Sequence, residues 1–205
     1  MVTDVTGTMP LMTADQPEPT ARLPLRLWWR AGDPAAVTAL LEGLGLRVVN
    51  GSVALGSIVL SVVVTENEDL DRLEVGDPVS EATDGPGPDG ARLAALGWAT
   101  VDAERLAAAL GKPLSDEAHP DPALGATGFG VESASLPLVL LEPSTEGRIA
   151  AALARIGEGP VALYLDGVTA AEHETVPLSM TGVGRSGRLF RPDRPSGPFI
   201  VALPP

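Results

Sequence analysis

The chain has 205 residues and a formal net charge of −13, with 44% hydrophobic but only 3% aromatic residues, so aliphatic side chains must fill its interior. No Lys/Arg cluster occurs in it, which argues against DNA or RNA as a partner, and the same acidity disfavours an anionic membrane surface. With no cysteine, disulfides, thiolate nucleophiles and zinc–cysteine sites are excluded, and His119 and His173 are the only imidazoles in the sequence.

Met1–Thr20 carries three acids, three prolines and no basic residue, so residues 1–21 read as a disordered arm of a cytoplasmic protein rather than a secretory signal. No apolar run approaches the roughly 18–20 residues of a spanning helix. Leu23–Ala31 is strand-like. Asp33 then stands as an N-cap with Pro34 at the first helical position, Val37, Leu40, Leu41 and Leu44 make one apolar stripe, and Gly45 stops the helix. Leu46–Val49, Val53–Leu55 and Ile58–Val64 follow as three short strands, which completes a βαβββ unit within residues 22–77. The acidic stretch after Thr65 ends in a Gly- and Pro-rich run, so residues 78–91 read as a linker.

Leu93–Thr100 is the next strand, and Asp102 caps a helix that Gly111 stops. Lys112–Leu124, with its three prolines, reads as a loop, and Gly128–Glu132 and Leu136–Leu141 as strands. Beyond Pro143 and Ser144, Ile149, Ala150, Leu153 and Ile156 recur at helical spacing, and Gly157 and Gly159 lead into a strand at Val161–Leu165. A short helix or turn over Thr169–Glu174 and strands at Leu178–Thr181, Arg188–Phe190 and Phe199–Leu203 make an abbreviated third unit. Asp33, Asp102 and Asp166 each follow a strand, a weak internal repeat.

A strand, a bridging helix and a Gly-Glu-Gly turn into a new strand resemble the junction between two modules of a vicinal oxygen chelate, or glyoxalase-like, protein, most of all the methylmalonyl-CoA epimerase branch. The resemblance covers Arg92–Pro205, with Leu23–Thr65 matching as a module. It implies an α+β fold of βαβββ modules forming curved mixed sheets, and a divalent metal in the concave face. The family's opening pattern fits Leu93–Asp102, except that Ala95 stands where its metal-binding histidine would be. At the positions of the other three ligands stand Val139, Pro160-Val161 and Val201 or Ala202. Hard divalent ions need oxygen or nitrogen donors, and these side chains offer none. The expectation is therefore a protein with no metal and no cofactor. Relatives of this kind include drug-sequestering resistance proteins. What the resemblance implies is a bacterial, cytoplasmic binder of a small organic molecule, anionic or aromatic, in resistance, sequestration or carriage.

Candidate ligand contacts are Arg26, Trp28 and Arg30, which strand alternation places on a concave face with Leu27 and Trp29 against the helix. Two guanidiniums flanking an indole suit a carboxylate, a phosphate or an aromatic anion. Ala95, Val139, Tyr164 and Phe199 join them from the family positions and neighbouring strands, and Arg185 from the Gly-rich run after Thr181. Trp98 falls on the helix-packing side. Glu132 and Glu142 are the candidate acid/base groups for an alternative reading, an isomerase, lyase or cyclase of the same fold. His119 and His173 read as exposed loop residues. A half-barrel leaves one face uncovered, and an odd number of modules leaves one unpaired, so a homodimer through Leu23–Thr65 is expected.

Overall fold

The structure is a computed structural model, and it describes residues 25–65, 71–77, 90–132, 136–144, 146–169, 175–191 and 198–204. Two sheets form. The smaller contains β1 (Leu25–Ala31), β2 (Ser52–Leu55), β3 (Ile58–Val64) and β4 (Arg72–Val75) in the order β2-β3-β1-β4, with helix α1 (Pro34–Gly43) between β1 and β2. The Asp33 carboxylate accepts from the Ala36 N–H at 3.0 Å and Pro34 opens the helix, the start that the sequence predicts.

The larger sheet has eight strands. The first half is β5 (Arg92–Ala99), helix α2 (Ala103–Ala109), β6 (Leu114–Asp121), β7 (Ala126–Val131) and β8 (Leu138–Pro143). Helix α3 (Arg148–Ile156) crosses to the second half, β9 (Gly159–Asp166), β10 (Ser179–Met180), β11 (Ser186–Phe190) and β12 (Phe199–Leu203). The order β10-β11-β12-β9-β5-β8-β7-β6 is the same pattern written twice, back to back. In each half the first strand pairs in parallel with the fourth, β5 with β8 and β9 with β12, and the other pairings are antiparallel. The two halves meet where β5 and β9 pair antiparallel. The far edges β6 and β10 come into contact, so the sheet curls nearly into a barrel. The fold is thus α+β, with one strand pattern repeated in a curved mixed sheet.

Leu93, Leu96, Leu163, Leu165, Phe190 and Ile200 face outward from this curl and join α1, Leu27, Trp29 and Leu60 in one buried cluster. Helix α2 covers the same outer side further along, over Leu140 and Val131. The inward side chains, among them Ala95, Val139, Leu141, Ala162, Tyr164 and Val201, form a second cluster, to which Ile149 and Ala152 of α3 belong.

Several expectations at strand level differ. Leu46–Val49 is not a strand: Leu46 donates its N–H to the Leu41 carbonyl at 3.2 Å, and Leu46 and Val48 fill the core under α1 without a partner strand. Only Val49 makes a bridge, to Ser52. The small sheet instead gains β4, from the acidic stretch where no strand is predicted. Lys112–Leu124 is not a loop, because β6 runs through it, paired with β7. The predicted arm, most of the linker and the turn centred on residues 170–174 lie outside the described residues.

Candidate functional site

A cleft of about 770 Å³ opens on the inner side of the large sheet. Its floor comes from Ala94 and Ala95 of β5 and Leu138 and Val139 of β8. One wall is β6 and the end of β7, with Ser115, Asp116, Glu117, His119, Gly130 and Glu132. The other is the turn after β10 and the end of β12, with Gly182, Val183, Arg185 and Leu203.

That turn is held from two directions. Within it, the Thr181 hydroxyl donates to the Arg185 carbonyl at 2.7 Å and the Gly184 N–H to the Thr181 carbonyl at 2.9 Å. From below it is latched by Asp121, which is fully buried at the end of β6. One Asp121 oxygen accepts from the Tyr164 hydroxyl at 2.8 Å and from the Gly182 N–H at 2.9 Å, while the other accepts from the Leu124 N–H at 3.1 Å. Burial raises the Asp121 carboxyl above its ordinary range, against the three donors that favour its ionised form. Burial, with the neighbouring Asp121, pushes the Tyr164 phenol well above its ordinary value, so it stays a donor. Gly128 lies directly under Gly182, with no room for a side chain between them. The barrel interior is therefore closed where this turn rests on β7.

At the mouth, Arg185 Nη2 reaches Asp166 at 2.8 Å and the Pro204 carbonyl at 3.1 Å, and Arg92 reaches the other Asp166 oxygen at 2.9 Å. Burial works to raise the Asp166 carboxyl, but the two guanidiniums outweigh it and hold the group below its ordinary value. Asp166 is thus an ionised anchor for Arg185.

Of the residues singled out in the sequence, Ala95, Val139, Arg185 and Glu132 line the cleft, and so does His119. Glu132 is exposed at the rim. Tyr164 and Phe199 are buried in the inner cluster instead. Glu142 Oε1 accepts from the Ala103 N–H at 2.6 Å and so ties β8 to the first turn of α2. His173 lies outside the described residues. Arg26, Trp28 and Arg30 lie on the outer face of the small sheet, on the far side of the shared core from the cleft. There the Arg26 guanidinium lies 4.8 Å over the Trp28 ring, and Arg30 pairs with Glu74 of β4. Sequence reasoning did not single out Asp121. A buried acid beside two prolines in a polar stretch has no period to mark it.

Ala95, Val139, Val161 and Val201 share the inner cluster. None of these side chains carries a donor atom, so the positions do not fit a divalent ion. Among the described residues no group of three or more His, Asp or Glu stands together as a metal site would require. Among the described residues no helix is long and apolar enough to cross a membrane.

No family model and no curated protein matches the sequence. Solved structures do resemble the fold. A hypothetical protein from Bacillus halodurans aligns at 20% identity over 56% of this chain and 94% of its own, with a TM-score of 0.41. Methylmalonyl-CoA epimerase from Mycobacterium tuberculosis aligns at 18% identity over 55% and 87%, with a TM-score of 0.42. A variant of 4-hydroxymandelate synthase from Streptomyces coelicolor aligns at 14% identity over 87% and 68%, with a TM-score of 0.40. All three scores are modest, and the activities named belong to those proteins.

Proposed function

We propose that this chain is a metal-independent glyoxalase-like binder that holds a small organic molecule in the cleft over Ala95 and Val139, in resistance, sequestration or carriage. The observation that supports this most is the cleft's floor: it includes Ala95 and Val139, two of the positions where the resemblance would place metal ligands, and both side chains are aliphatic. An apolar floor with a few polar groups at the rim is the usual make-up of a small-molecule pocket. The alternative, acid/base catalysis by carboxylates, finds less support. Glu142 is committed to the start of α2 and Glu132 is exposed at the rim, so no observation favours that reading.

The test uses the neutral dye Nile red with protein dialysed against EDTA. One equivalent should bind, added zinc or manganese should leave the affinity unchanged, and Ser115→Trp should weaken binding at least about tenfold, or about 1.4 kcal/mol. Ser115 is exposed on the cleft wall, so the indole blocks the opening without entering the core. Loss of binding after EDTA with recovery on adding metal would overturn the metal-independent reading. No binding at all, or binding indifferent to Ser115→Trp, would overturn the cleft itself.

A further inference from the structure

We infer that the ligand of this cleft is an organic cation, an amine or guanidinium carried on an apolar body; the inference rests on the cleft being the binding site proposed above. The sequence alone suggests an anion, because Arg26 and Arg30 can be read as concave-face residues. The structure takes both away from the cleft. Arg185 is the guanidinium that lines it, and this group is held by Asp166 at 2.8 Å and by the Pro204 carbonyl. Its charge is already offset by that mostly buried acid, so an incoming carboxylate or phosphate meets a paired guanidinium.

Negative charge, by contrast, is unspent. Asp116, Glu117 and Glu132 all line the wall. Glu117 faces only His119, at 4.0 Å, and neither Asp116 nor Glu132 has a side-chain hydrogen bond or ion pair among the described residues. Three carboxylates around a partly closed, apolar-floored cleft focus a negative potential there, and the chain's net charge of −13 adds to it at longer range. Ala95, Leu138, Val139, Val183 and Leu203 give the apolar body its contact area. A cation with its charge toward β6 and its apolar part toward β8 satisfies both halves. An organic anion meets the same apolar contacts but faces the three carboxylates.

Three dyes separate the possibilities: ethidium as cation, 8-anilinonaphthalene-1-sulfonate as anion, and Nile red as neutral probe. Ethidium should bind the wild-type protein at least about tenfold more tightly than the sulfonate at about 10 mM salt, and the gap should narrow at about 300 mM. Glu117→Gln with Glu132→Gln should remove most of the preference and leave Nile red affinity unchanged. Ser115→Trp, or Val183→Trp as a second blocking variant, should weaken ethidium and Nile red together. Equal or tighter binding of the sulfonate would overturn the inference. So would ethidium binding that ignores the double Gln variant or survives both blocking variants. If Nile red binds and only the charge preference is missing, this inference alone falls. If Nile red also fails to bind, the cleft reading has failed first.

Discussion

Glu158, in the Gly-Glu-Gly turn, gathers four hydrogen bonds. Thr100 Oγ1 donates at 2.6 Å, the Val101 N–H at 3.0 Å, and Arg105 Nη2 to both carboxylate oxygens at 2.6 and 2.7 Å. The acid of the turn is therefore a staple between the start of α2 and the start of β9, across the joint between the two halves of the barrel. The Thr100 hydroxyl first, then Arg105 and the Val101 N–H, hold its carboxyl at about 2, below the ordinary 4.5. A carboxyl depressed in the folded state adds stability above its unfolded value, and that stability is lost as pH falls from about 4.5 toward about 2. Glu158→Gln should accordingly be less stable than the wild type at pH 7, with the difference shrinking through that window. Urea unfolding at several pH values reads this directly, and parallel pH curves for the two proteins would show that the staple contributes nothing.

At the scale of elements, Gly128 of β7 lets the turn of residues 181–185 sit down on the sheet. A Cβ there would overlap the Gly182 backbone, which cannot rotate away as a side chain can. Gly130, two residues on, has only Ser115 Cβ at 3.5 Å. Gly128→Ala should cost about 1–3 kcal/mol and loosen the latch through Asp121, whereas Gly130→Ala should be tolerated. Equal melting temperatures for the two variants would mean that the turn does not rest on β7. The contrast also shows what a sequence can disclose. Asp33 and Asp102 announce their helices because a cap is a local device, with each carboxylate accepting an N–H three residues on. β8 and β9 announce themselves by apolar runs because both their faces are covered. β6 is silent, since its residues line a polar wall or meet solvent and so show no alternation. Leu46 and Val48 mislead in the opposite sense, apolar because they fill a core and not because they pair. For the site, Ala95 and Val139 could be found by counting from the cap and the Pro143 turn. Asp121, whose role depends on β6 curling round to meet Tyr164, could not.

For the whole molecule, the decisive feature is that the small sheet has no core of its own. Leu27, Trp29 and Leu41 share a buried cluster with Leu96, Leu163 and Ile200 of the large sheet, and the Thr169 N–H donates to the Leu44 carbonyl at 3.1 Å. The apolar face of the N-terminal unit is thus covered within the chain. For the homodimer that we propose through this segment, the outer face bearing Arg26, Trp28 and Arg30 is then the surface left to use. A shared core also ties the two sheets into one unfolding event. Trp29 is buried in that cluster, so a Trp28→Phe, Trp98→Phe variant makes its fluorescence a reporter of the small sheet, while far-UV circular dichroism follows the whole chain. The two signals should share one urea midpoint, and Leu96→Ala, a truncation in the large sheet, should shift both by the same amount, about 2–5 kcal/mol. Run at several concentrations beside light scattering, the same titration reads assembly: a midpoint rising with concentration marks the dimer, and a fixed midpoint with a mass of 21.0 kDa excludes it. A Trp29 signal that ignores Leu96→Ala would mean that the small sheet keeps its own core, and the two sheets would then be separate folding units.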